Sequence, residues 1–145
     1  MGGRLGRYEE RQVILVDSSV WIDFFRGRDT AQVNKLDSLF AEERIFVGDL
    51  ILTEVLQGFK TERDFNQARK TLETFPTIEL CGAEVALSAA KNVRALQALG
   101  FTVRKTIDTI IATRCIQDDF RLLHSDRDFD LFSKHLGLKV VHSDA

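Results

Sequence analysis

One proline, two cysteines and three histidines are all that 145 residues hold of the types that kink, staple or ligate a chain. Cys81 and Cys115 lie far apart with no secretory leader ahead of them, so reduced thiols are expected. Cys115, on an apolar helix face, is expected in the core. His124, His135 and His142 make no CxxC or HxxxH spacing with the cysteines, which excludes the usual zinc patterns. No apolar run approaches the ~20 residues needed to span a bilayer. The opening segment MGGRLGRYEERQ has charges but no apolar stretch behind them, so residues 1–12 are expected to be a poorly ordered arm and the chain to be cytoplasmic. The net charge of −2 gives no global positive field for nucleic acid; local Lys/Arg clusters or a bridging metal would have to supply the attraction. Repeats and low-complexity tracts are missing as well.

What is present is an alternation of elements. With 44% hydrophobic and 29% charged residues, the composition is that of an ordinary globular chain. Residues 13–145 are expected to form a single domain, long enough to bury roughly 70% of its unfolded surface. Val13-Ile14-Leu15-Val16 reads as a strand buried on both faces, and Asp17 stands at its exit. Val20, Trp21, Phe24 and Phe25 follow at helical spacing, more as core or dimer surface than as a base-stacking platform. Val33, Leu36, Leu39 and Phe40 make the stripe of a second helix over 30–43. A strand over 44–47 precedes a helix with Asp49 as its expected N-cap. A charged helix over 61–75, a short strand over 77–80 and an Ala-rich helix over 83–99 ended by Gly100 come next. Thr106 is the expected cap of a helix over 107–118. A strand over 121–124, a short helix near 129–136 and a last strand over 138–141 complete the pattern. Strands separated by helices predict an α/β fold with helices on both faces of a parallel sheet. Sites in such sheets form at the carboxyl ends of the strands.

Four acids fall where that edge would be. Asp108, placed at 100° per residue, projects towards Cys115, Ala112 and Ile111, while Thr109, Thr113 and Gln117 make an opposite, polar face. An unpaired carboxylate on a buried face is penalised by several kcal/mol. The helix dipole returns only ~0.3–1 kcal/mol when exposed and up to ~2 when partly buried, so a charged ligand facing Asp108 is favoured over a purely structural role. Asp17 could be an N-cap, but Ser18 and Ser19 could cap equally well, leaving cap and ligand evenly matched. Glu54 falls at the border of its helix's apolar arc, a common place for a solvated glutamate, although Gly58 one turn on permits close approach. In LLHSDRDFDLF, Ser125 and Asp126 repeat the strand-exit geometry. Asp126, Asp128 and Asp130 crowd one turn and repel unless a cation or water intervenes. Oxygen-only ligands select a hard cation, Mg²⁺ or Mn²⁺, and suit phosphoryl chemistry.

In this order the stretches VDSSVWID, LTEVLQG, TIDTIIA and HSDRDF resemble the PIN-domain ribonucleases, and within them the VapC-type toxins of prokaryotic toxin–antitoxin pairs. The resemblance runs from about residue 13 to the end. It implies a three-layer α/β/α sandwich around a parallel sheet, and Mg²⁺- or Mn²⁺-dependent hydrolysis of RNA phosphodiester bonds. By position, Asp17, Glu54, Asp108 and Asp126 correspond to the family's catalytic, metal-binding acids. Asp128 lies in its D-x-D-F pattern and is a further ligand candidate, with Ser19 and Ser125 in support. Glu54 owes its place in this set to the resemblance alone. A homodimer is implied, as is an antitoxin of the VapB type whose C-terminal tail covers the acidic groove. Arg26, Arg28, Lys60, Arg104 and Lys105 are candidates for gripping RNA, each as readily a solvated surface charge.

Two other readings compete. A haloacid-type phosphatase needs an aspartate two residues after the first, where this chain has Ser19, and a receiver domain needs adjacent acids where Val16-Asp17-Ser18 offers one. A catalytically silent PIN-like binding module is the alternative from another class; the presence of all four matched acids counts against it.

Overall fold

The computed structural model describes residues 12–42 and 44–143; the arm expected over residues 1–12 lies almost wholly outside them. Strand β1 (Ile14–Val16) leads into helices α1 (Ser18–Phe25) and α2 (Ala31–Leu39), the latter running on into a 3₁₀ turn at Phe40–Glu42. Strand β2 (Ile45–Gly48) is followed by α3 (Asp49–Leu56) and α4 (Glu62–Glu73). After β3 (Thr77–Ile78) come the long α5 (Ala83–Ala98) and α6 (Thr106–Asp118). Strand β4 (Arg121–Leu123), a 3₁₀ turn at Arg127–Phe129, α7 (Asp130–His135) and β5 (Lys139–Val140) close the order. None of the described helices is long and apolar enough to cross a membrane.

The five strands form one parallel sheet in the order β3-β2-β1-β4-β5. Strand β1 is central because its residues can be: Ile14, Leu15 and Val16 are buried in succession, so helices cover both faces of the sheet there. Its register sets Leu15 against Phe46 of β2 and Val16 against Leu123 of β4. The chain therefore runs outward from β1 in both directions, and the crevice where an α/β sheet binds its ligand opens at the carboxyl end of this strand. Helix α1 packs on α2 and α3, and α5 packs on α6. Trp21 is fully buried, stacked on Phe25 at 5.9 Å and meeting Phe24, Phe40 and Phe75 at 5.8–6.2 Å. Trp21 is thus core, and the four phenylalanines pack against it partly buried.

Three local expectations are corrected. The N-cap of α3 is Gly48, and Asp49 is its first residue. Any side chain at position 48 would strike Leu80, and Asp49 instead uses Oδ1 to accept the amides of Leu50 (2.8 Å) and Leu80 (3.0 Å), pinning the exit of β3 to the start of α3. Thr106 begins α6 but does not cap it; Lys105 is the cap residue and makes no side-chain cap bond. Thr109 and Thr113 are buried, 3% and 2% exposed, because α5 lies against that flank of α6. The Thr113 hydroxyl accepts from Asn92 Nδ2 at 3.0 Å, and the Thr109 hydroxyl donates to the Lys105 carbonyl at 3.0 Å. Gly100, at φ 93°, ends α5 as expected, since a left-handed residue there favours glycine. Both cysteines are free, and Cys115 is buried in the core.

Candidate metal centre

The ladder between β1 and β4 continues one residue past the strands: the Asp17 amide donates to the Leu123 carbonyl at 2.9 Å. That bond delivers Asp17 to the carboxyl edge of the sheet in an extended conformation, φ −68° and ψ 155°, from which it caps α1. Its Oδ2 accepts from the Ser19 amide (3.0 Å) and the Ser19 hydroxyl (2.6 Å). Oδ1 is buried with no hydrogen-bond partner. The cap therefore uses one carboxylate oxygen and leaves the other without a partner. The Ser19 hydroxyl also accepts from the Ser125 amide at 3.2 Å, joining the exits of β1 and β4. Ser125 contributes this amide, not its hydroxyl. One residue earlier, the Ser18 hydroxyl donates to Glu54 Oε1 at 3.2 Å and turns α3 towards the same edge.

Asp108 sits in the first turn of α6, and Asp126 and Asp128 follow β4. One carboxylate oxygen from each of the three lies within 4.8 Å of the others. Asp17 and Glu54 stand outside this tight trio, but their charges reach Asp108. Burial, then repulsion from Asp17 and Asp126, pushes the Asp108 carboxyl up from 3.8 to about 7. Burial also raises Asp17, against the hydrogen bonds from Ser19, and raises Glu54, with repulsion from Asp17 adding to it. Burial works against the Asp126 anion too, but the Asp128 amide and the Lys105 ammonium outweigh it and hold Asp126 below its usual range. Burial lowers His124, so its ring, 4.9 Å from that of Phe129, is neutral at pH 7.

Lys105 reaches into the trio. Its Nζ stands 2.8 Å from Asp128 Oδ2, 2.9 Å from Asp126 Oδ2 and 4.0 Å from Asp108 Oδ2. Hydrogen bonds to Asp128 and Asp126 raise the ammonium well above the ordinary lysine range. Even so, Asp108 Oδ2 is buried with no hydrogen bond. A crowded set of oxygen donors, with one buried oxygen on Asp108 and another on Asp17 left unsatisfied, fits a hard divalent cation, for buried charge needs a partner.

The other basic candidates lie elsewhere. Arg26 and Arg28 leave from the far end of α1 from Asp17, and Arg28 pairs with Asp23 at 3.5 Å. Lys60 is exposed between α3 and α4. Arg104 lines a cavity of about 240 Å³ together with Lys105, Asp108, Asp128 and Arg127. Sequence reasoning missed two contributors. Ser18 was read only as a cap, and nothing local announces a bond to a glutamate 36 residues away. Lys105 reads from sequence as gripping RNA or as a solvated surface charge, although its place three residues before Asp108 across a helix start is a signal for an ion pair.

Known proteins share this fold. Ribonuclease VapC11 of Mycobacterium tuberculosis (strain H37Rv) is 29% identical over 131 residues, covering 89% of this chain and 98% of the relative. Among solved structures, VapBC2 from Rickettsia felis, bound to a DNA fragment from its promoter, superposes with a TM-score of 0.71 at 15% identity, covering 89% of this chain and 97% of that one. VapBC-1 from nontypeable Haemophilus influenzae gives 0.69 at 15% identity, covering 90% and 98%. These likenesses are to the fold. The PIN domain model matches residues 14–143, every strand and every acid described above included; the chain belongs to the PIN-domain family.

Proposed function

We propose that this chain is a metal-dependent ribonuclease, the toxin of a toxin–antitoxin pair, hydrolysing RNA phosphodiester bonds. The observation that carries the reading is one carboxylate oxygen of Asp108, Oδ2, buried without a hydrogen bond beside two further carboxylates at the sheet's carboxyl edge. Similarity to a ribonuclease over nearly the whole chain supports the same chemistry. Asp17, Glu54, Asp108 and Asp126 would hold Mg²⁺, with Mn²⁺ as a substitute and Asp128 as a further ligand. Such an ion supplies Lewis acidity to a phosphate and lowers the pKa of water.

The chain's own residues prepare that chemistry. Ser19 fixes one oxygen of Asp17 and leaves the other, buried, without a hydrogen bond. Ser18 orients Glu54. Because burial and neighbouring acids raise the Asp108 carboxyl to about 7, cation binding near neutral pH should release a proton from it. His124, half-buried and neutral, is not needed as a base. Arg104 borders the acidic edge and is the candidate best placed to meet an RNA phosphate; Arg26, Arg28 and Lys60 serve, if at all, along a more distant path. The acidic groove is the surface for a cognate antitoxin's basic C-terminal tail, and a homodimer in the cytoplasm is the working form.

Purified protein supplied with Mn²⁺ or Mg²⁺ should cut a structured RNA, and Asp108→Asn should abolish cutting while circular dichroism stays unchanged. Equal cleavage by both proteins assigns the activity to a contaminant. A folded wild-type chain that neither binds Mn²⁺ nor cuts would be the silent binding module.

A further inference from the structure

The cation that meets the acidic trio in this chain is its own. Lys105 Nζ lies 2.8 and 2.9 Å from the same Asp128 and Asp126 carboxylates that, with Asp108, bring three oxygens within 4.8 Å of one another. It is held by no rigid packing: the side chain is 57% exposed, on a stem with four rotatable carbons, at the residue before α6 begins. Resting on the metal reading above, we infer that Lys105 is a built-in counter-cation that occupies the acidic trio until a divalent ion displaces it, and so sets the metal affinity of the site.

The physical ground is exclusion. An ammonium at hydrogen-bond distance from two of the trio's oxygens blocks the approach of a second cation to them, and like charges at that spacing repel. Without Lys105 the three carboxylates would repel one another openly, and the metal-free state would lose what the ammonium gives it. Metal affinity measures the difference between the metal-free and loaded states, so removing the resident cation tightens binding. A lysine that merely helped build the site would have the opposite effect. Once displaced, Nζ moves to the rim of the cavity that Arg104 and Arg127 also line, where these basic groups present an anion-attracting edge beside the metal.

Mn²⁺ titrated calorimetrically into the full chain at fixed ionic strength tests this. Lys105→Gln should bind Mn²⁺ about five- to thirtyfold more tightly than wild type, the range expected for losing two or three partly exposed ion pairs. Lys105→Arg, which keeps the charge, should stay within about threefold of wild type, a range set by exposed-pair energetics. Unchanged or weaker binding by Lys105→Gln overturns the inference while leaving the metal site intact. Failure of wild type and both variants to bind Mn²⁺ overturns the metal reading and the inference together. Loss of binding in Asp108→Asn ties any signal to this site.

Discussion

Replacing Asp108 by asparagine removes a charge while keeping the side chain's shape, which makes the metal-free protein an electrostatic test of the site. Burial and repulsion from Asp17 and Asp126 lift this acid from 3.8 to about 7. At about 1.4 kcal/mol for each pH unit, the ionised form is disfavoured in the fold by at most about 4 kcal/mol. The Lys105 ammonium 4.0 Å away is already part of that balance and the side chain is only 13% exposed, so about 3–4 kcal/mol is expected at high pH. The sign follows from linkage. The folded state keeps the proton between pH 4 and pH 7 while the unfolded chain releases it, so the wild type's stability from this group is complete below about 3.8 and is lost as pH rises through about 7. Asparagine does not titrate. Asp108→Asn should therefore match wild type at pH 4 and exceed it by about 3–4 kcal/mol at pH 8, in urea unfolding with EDTA present. At pH 8, Mn²⁺ at a hundredfold its dissociation constant should add about 2.7 kcal/mol to wild type alone and bring it to within about 1 kcal/mol of the variant. A variant no more stable than wild type at pH 8, or one with the same advantage at both pH values, would refute the account of Asp108 as a carboxylate strained by its neighbours.

The serine bridges give two more expectations. Ser19→Ala leaves buried Asp17 without one donor and the Ser125 amide without its acceptor; it should lower stability by about 1–3 kcal/mol by urea unfolding and weaken Mn²⁺ binding as well. Glu54→Gln keeps an oxygen to accept from Ser18, so melting should be nearly unchanged while Mn²⁺ affinity falls about tenfold in calorimetry, a loss of about 1.4 kcal/mol.

How far the sequence reveals this molecule depends on the range over which each interaction acts. The unbroken apolar run before Asp17 is legible as a central strand because burial on both faces leaves a mark on every residue. The inward projection of Asp108 is legible from helical period alone, and its unsatisfied oxygen bears that out. Thr109 and Thr113 mislead because a hydroxyl can be buried cheaply once Asn92 or the Lys105 carbonyl takes up its bond, and neither partner is visible in helical spacing. Asp49 looks like a cap by type, yet its carboxylate is taken up by Leu80, 31 residues on. Glu54 is ambiguous for the same reason: what orients it is Ser18, on another helix. The close trio of Asp108, Asp126 and Asp128, with Lys105 across it, joins one helix start to one strand exit that only the folded chain brings together.

Asp17, Ser18 and Ser19 occupy a single opening turn of α1, and each grips a different part of the molecule: the sheet edge, α3 and the loop beyond β4. Fraying of that turn would release all three anchors at once, with no partial version of the event. Asp17, Glu54 and the loop that carries Asp126 are thus fastened to one latch, and amide exchange in that turn should keep pace with the capacity to hold a cation.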